Sequence, residues 1–199
     1  QTCICANRIM VQENIYDEFV KRFAQHVDQF SIGNGLEDGT THGPVITEKA
    51  ISGIHEKVEN AVAQGAKVIT GGKISDKGAQ FYEPTILTNV DDTMSVFSEE
   101  IFGPVAPIFK FKTEEQAIAM ANDTDFGLAA YFYTENMGRI FRVGEGLQYG
   151  MVGVNETAIS SEMIPFGGVK ESGQGREGSK YGLDDYLEIK YLCVGGLNR

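Results

Sequence analysis

Residues 103–134, "GPVAPIFKFKTEEQAIAMANDTDFGLAAYFYT", hold the pattern on which the fold reading turns. The first part, GPVAPIFKF, is strand-like despite its prolines. The last part, LAAYFYT, is a near-continuous apolar run of strand length. Between them Thr113 opens a helix, with Gln116 three residues on in a capping-box pattern, and the helix runs to about Ala121. Strand, helix and strand in succession point to an α/β domain with a largely parallel sheet flanked by helices.

The alternation extends in both directions. Ala6–Gln12 reads as a strand, with Ile9 and Val11 on one face. Asn14–Phe30 reads as a helix, because Ile15, Phe19, Phe23 and Val27 recur every fourth residue. "SIGNG" breaks it, and Thr47–Gln64 follows as a second helix carrying Ile51, Ile54, Val58 and Ala61. "AKVITGG" and "EPTILTNV" read as strands, Met137–Leu147 as a short helix and "GMVGVN" as a short buried strand.

Two stretches stand outside the alternation. Residues 164–182, "IPFGGVKESGQGREGSKYG", are glycine-studded, which implies a loop of tight backbone turns. As a packed structural loop it needs no ligand; it matches neither a Walker loop nor a Rossmann fingerprint. Then comes "YLEIKYLCV", with Leu187, Ile189, Tyr191 and Cys193 on one face and Glu188 and Lys190 on the other. A lone terminal strand must pair with something, and a neighbouring subunit is a reasonable partner. The expected organisation is a 1–182 domain and a 183–199 strand and tail.

The chain has 199 residues, 42% apolar and 23% charged, ordinary for a globular protein able to bury its own core. A net charge of −11 disfavours nucleic acid and anionic membranes as partners. No apolar run has the length of a membrane span, and no signal-peptide pattern opens the chain. Gln1 is no natural initiator, which points to a chain processed or cut from something longer. Three cysteines, an odd number, are too few for a disulfide framework, so a reducing compartment is the simpler reading.

Cys3 and Cys5 leave four readings open. A zinc clip lacks ligands, because His26 and His55 lie in helix patterns and His42 follows a turn. A disulfide across so small a loop is strained and suits a reversible switch. Two buried thiols can also pack as small hydrophobes. Cys3, beside the polar Gln1 and Thr2, can instead sit exposed at the lip of a strand, as a nucleophile must. A second candidate is "SEEIFGPV": a solvated loop before a core Phe, or a carboxylate and a ring presented together to a ligand.

Taken together, "QTC", "EEIFGPV" and "PFGGVKESGQGREGSKYG" resemble, in order, the active-site, cofactor-side and glycine-loop motifs of the aldehyde dehydrogenases. The resemblance covers essentially the whole chain. With "QTCICANR", "ISSEMIPFGG" and "YLEIKYLCVGG" it is closest to the succinate-semialdehyde dehydrogenases. The resemblance implies an enzyme in which Cys3 is the nucleophile and Cys5 its redox partner. It implies NAD or NADP as cofactor, with Glu100 on the nicotinamide ribose and Phe102 against the cofactor. Ser160 would contact a substrate carboxylate and Phe166 would line the substrate tunnel. No metal is implied.

It further implies a small aldehyde substrate, succinate semialdehyde, and a homodimer or homotetramer. The location implied is the cytoplasm, or the mitochondrial matrix in a eukaryote. The family's cofactor domain, general-base Glu, oxyanion Asn and substrate arginines lie upstream of the matched motifs. The 199 residues alone are therefore expected not to turn over aldehyde. The competing readings are a Cys3/Cys5 redox module without hydride transfer, a family member acting on another aldehyde, and a non-catalytic assembly piece.

Overall fold

Central strands of a parallel sheet read as unbroken apolar runs because both of their faces are covered, and residues 105–111 fold this way. The computed structural model describes residues 1–196. The chain folds as two units, Gln1–Asp123 and Thr124–Arg199. The first begins with β1 (Ile9–Gln12), a 3-10 turn at Glu13–Ile15, and α1 (Tyr16–Val27). It continues through α2 (Glu48–Ala63), β2 (Lys67–Thr70), β3 (Thr85–Thr88) and a single turn of helix, α3 (Ser95–Ser98). It closes with β4 (Val105–Phe111) and α4 (Glu114–Asn122).

The sheet order is β1-β4-β3-β2. β4 is parallel to both of its neighbours, and β2 joins antiparallel at the edge. The α/β, largely parallel expectation therefore holds. Successive side chains on β3 and β4 go to opposite faces. Ile86 and Ile108 pack with Val11, Tyr16 and Val27 on the α1 side. Leu87, Val105 and Phe109 pack with Ile51, Ile54 and Val58 on the α2 side. Each such buried side chain contributes about 1.5–3 kcal/mol. Tyr16 stays satisfied in that core by donating to the Ile108 carbonyl at 2.8 Å.

α4 is fixed at both ends. The Thr113 hydroxyl accepts from the Gln116 N–H at 3.2 Å, as the capping pattern required. The Gln116 carboxamide accepts in return from Lys112 N–H at 2.8 Å, one residue earlier than a standard capping box. At the far end Arg8 donates to the carbonyls of Met120 and Ala121, both at 2.8 Å, and of Asp123 at 3.3 Å. A cation on the last carbonyls of a helix satisfies orphan acceptors and suits the helix dipole.

The second unit contains β5 (Phe126–Gly127), β6 (Ala129–Phe132), α5 (Met137–Gly146), β7 (Met151–Val154), β8 (Val169–Lys170) and a 3-10 stretch at Tyr181–Tyr186. β6 and β7 pair in parallel, joined by α5 as crossover. β5 and β8 pair antiparallel. Asn136 caps α5 by accepting from Arg139 N–H at 2.9 Å.

One expectation is corrected: the first strand starts only at Ile9, where the parallel register with β4 begins opposite Ile108, and the residues before it form a turn closed by the Cys5 N–H on the Thr2 carbonyl. The alternating C-terminal stretch, expected to pair with a neighbouring subunit, forms no ladder within the described residues. Ile189 and Tyr191 are fully or largely exposed, so the alternation has no covered face within the described chain. The last three residues of the expected 183–199 tail lie outside the described residues.

Candidate active site

The cysteine stretch folds as a turn. The Cys5 N–H donates to the Thr2 carbonyl at 2.9 Å, which lifts Cys3 to the outside of the bend. Cys3, Cys5 and Cys193 are all free thiols and all exposed. The exposed Cys3 fits a nucleophile and not a packed core thiol. It belongs to the turn and not, as expected, to the lip of β1. No hydrogen-bond partner meets the Cys3 N–H among the described residues, so that donor can serve a developing oxyanion. Among the described residues no cluster of three or more metal-ligating side chains occurs.

Beside the turn lies a cleft of about 370 Å³. Cys5, Glu100 and Phe102 line it, together with Gln1, Thr2 and His42. Cys3 is not among its lining residues. Glu100 is exposed, and Phe102 is 42% exposed with a φ of 52°, a left-handed backbone that bulky residues seldom adopt. Glu99 points elsewhere, its carboxylate 3.1 Å from the Lys57 ammonium. Of the two adjacent acids, therefore, only Glu100 lines the cleft.

The cleft suits the ribose and ring end of a nicotinamide dinucleotide. A carboxylate can accept from sugar hydroxyls and an exposed aromatic can cover a flat ring, while no Lys or Arg lines the cleft to favour phosphate. The floor is desolvated. Burial pushes the Tyr82 phenol up to about 12, with the Glu59 charge as a lesser cause. Burial also lowers His42 from its ordinary value, favouring the neutral ring. Tyr82 meets His55 Nδ1 at 3.1 Å.

Gln1 and Asn7 were missed by the sequence reading. The Asn7 carboxamide donates to Glu99 O at 3.1 Å and accepts from Ile101 N–H at 2.9 Å. Gln1 donates to Phe102 O at 3.2 Å and accepts from Ile46 N–H at 2.9 Å. Partners 45 to 101 residues away leave no local signal; only the closeness of two polar amides to a cysteine could have prompted the question.

Ser160 and Phe166 lie in the second unit. Ser160 is exposed. Phe166 is half-buried and exchanges two backbone hydrogen bonds with Glu177, at 2.8 and 2.7 Å. Arg176 donates to Gly168 O and Gly175 O, and the Ser179 N–H donates to Glu162 O. The glycine-rich loop is thus folded on itself, as its packed reading expects.

This α/β chain thus offers, in its sheet-bearing unit, an exposed thiol near a cleft lined by a carboxylate and an aromatic ring. It belongs to the aldehyde dehydrogenase family, whose sequence pattern matches residues 1–192. The chain is 58% identical over 194 residues to a glutarate-semialdehyde dehydrogenase of Pseudomonas putida, covering 98% of this chain and 40% of that protein. It is 54% identical over 195 residues to the NADP(+) succinate-semialdehyde dehydrogenase GabD of Escherichia coli, with coverage of 98% and 40%. A crystal structure of succinate-semialdehyde dehydrogenase from Burkholderia pseudomallei superimposes with a TM-score of 0.95 at 52% identity, over 98% of this chain and 40% of that one. The chain thus spans about 40% of the length of these relatives. Among the described residues no helix is long and apolar enough to cross a membrane.

Proposed function

We propose that this chain carries the thiol half of an NAD(P)-dependent dehydrogenase that oxidises a small ω-carboxylated aldehyde, succinate semialdehyde first among them, to the acid. The observation that carries the reading is the exposed Cys3 in a turn whose flanking residues hold the Glu100–Phe102 segment. Residues 1–182 hold the chemistry, and 183–199 pair with a second subunit in a homodimer or homotetramer.

Cys3 Sγ, as thiolate, adds to the aldehyde carbon, and the carbonyl oxygen becomes an oxyanion that the Cys3 N–H can receive. What a nicotinamide dinucleotide supplies, when bound, is the hydride acceptor. After oxidation the same sulfur holds the acyl group as a thioester. Water adds to that carbon, the C–S bond breaks, the acid leaves and the thiolate is restored. Glu100 would hold the dinucleotide by accepting from a ribose hydroxyl, and Phe102 would pack against it. Ser160 donates to the substrate's remote carboxylate, and Phe166 walls its apolar chain.

The test is made on the full-length protein. A thiol-directed probe labels Cys3, and Cys3→Ala lowers aldehyde turnover roughly a thousandfold or more, while Cys5→Ala retains most of it. Normal turnover by Cys3→Ala would sink the reading. Rates with succinate and glutarate semialdehydes, each with NAD and NADP, assign substrate and cofactor. The 199 residues alone are expected to be inactive with either.

One feature favours a second role for the same turn. Cys3 and Cys5 are both exposed and belong to a single bend, so mild oxidation can join them and silence the nucleophile. A loss of two hydrogens by mass, reversed by a dithiol, is the expected signature.

A further inference from the structure

We propose that Asn7 and Gln1 are positioning residues for the cofactor seat, clamping the backbone of residues 99–102 so that Glu100 and Phe102 are presented to the cleft. This rests on the reading that Glu100 and Phe102 face the dinucleotide. The two Asn7 bonds straddle Glu100: its amide nitrogen holds the carbonyl of the residue before, and its oxygen holds the N–H of the residue after. Gln1 holds the Phe102 carbonyl, three residues beyond that of Glu99, and with its other end the N–H of Ile46.

The segment needs such a clamp because it is not in a relaxed conformation. Phe102 has a φ of 52°, which costs energy for a residue with a Cβ. Gly103 is pressed from the α2 side: a Cβ there would stand 2.7 Å from Ile54 Cγ1. Ile54 is itself buried in the core. One side of the segment is therefore held by packing and the other by the two amides. The chemistry of the clamp is selective. A carbonyl and an N–H on one strip of backbone call for a donor and an acceptor on one short, planar side chain, which Asn provides and Asp does not.

The consequence is that the turn bearing the nucleophile and the segment bearing the cofactor contacts are one mechanical piece. The experiment is steady-state kinetics on the full-length protein. Asn7→Ala is expected to raise the KM for the dinucleotide about tenfold, through two lost hydrogen bonds. The aldehyde KM and the rate of Cys3 alkylation by iodoacetamide stay unchanged. Asn7→Asp, nearly isosteric, keeps the Ile101 bond and loses the Glu99 bond, so its dinucleotide KM rises by an intermediate amount. A merely structural role for Asn7 would shrink the active fraction, lowering kcat and leaving KM alone. Should Asn7→Ala fail to fold, Asn7→Asp decides. Wild-type dinucleotide KM in both variants, with a raised KM in Glu100→Gln, would overturn the clamp and spare the cofactor reading. An unchanged KM in Glu100→Gln as well would overturn both.

Discussion

The cysteine turn with its partner segment, and the glycine-rich loop of the second unit, solve the same problem by opposite means. Both must hold irregular backbone in a fixed shape. In the first, side-chain amides from Gln1 and Asn7 reach across and grip main-chain groups. In the second, main chain grips main chain, with the Arg176 guanidinium bridging two of the loop's carbonyls, and the close approaches require atoms to be missing. A Cβ on Gly150 would overlap the Gly167 carbonyl, and one on Gly168 would stand 2.5 Å from Ser172 Cβ. The difference teaches where each region is vulnerable. A clamp made of side chains can be loosened without unfolding the sheet behind it; a loop made of close backbone approaches cannot.

Gly150→Ala gives the larger stability test. The added methyl meets rigid backbone at Gly167 and Gly168, so a loss of about 3 kcal/mol is expected in denaturant titration. Gly144→Ala in α5 is the control. A Cβ there meets nothing within 4 Å, and the change should stabilise by about 0.5–1 kcal/mol. If Gly150→Ala were equally harmless, the close-approach account of the loop would be wrong.

Gly103→Ala is expected to cost less, about 1–2 kcal/mol, because the atoms it meets are the side chain of Ile54. Combining it with Ile54→Val should recover part of the loss. The coupling in a double-mutant cycle measures how far that side chain can yield. Additive effects would mean that the strain lies elsewhere.

The smallest effect concerns pH. The N–H groups of Ala158 and Thr157 hold the Glu156 carboxyl below its ordinary 4.5. A carboxyl lowered on folding adds stability above its unfolded value and loses it as pH falls through the folded one. The Tm difference between wild type and Glu156→Gln should therefore be present at neutral pH and shrink as pH falls through and below the carboxyl's ordinary 4.5. A difference that grew in acid would contradict the hydrogen bonds.

The regular parts of this fold were legible because periodicity is local. Val11, Ile51, Ile54 and Val58 advertise their faces within one element, and each is buried. Thr113 announced its helix for the same reason. Cys3, Glu100 and Phe102 are singled out by motifs, and the structure brings Glu100 and Phe102 into one cleft with Cys5. What was not legible is what joins distant segments. Asn7, Arg8 and Gln1 look like ordinary polar residues until residues 99–102 and 120–123 arrive beside them. The C-terminal alternation belongs with these: a pattern can specify a strand, but a ladder needs a second strand to accept it.

Pro107 sits in the buried middle of β4, in register with Leu87. Before its neighbours have assembled, VAPIFKF is the kind of apolar, extended run that seeds aggregates. A proline at its third position withholds one donor from a foreign strand laid along that edge. Once folded, the sheet forgoes a single rung there; while still unfolded, the newborn polypeptide keeps a built-in guard against sticking to its siblings.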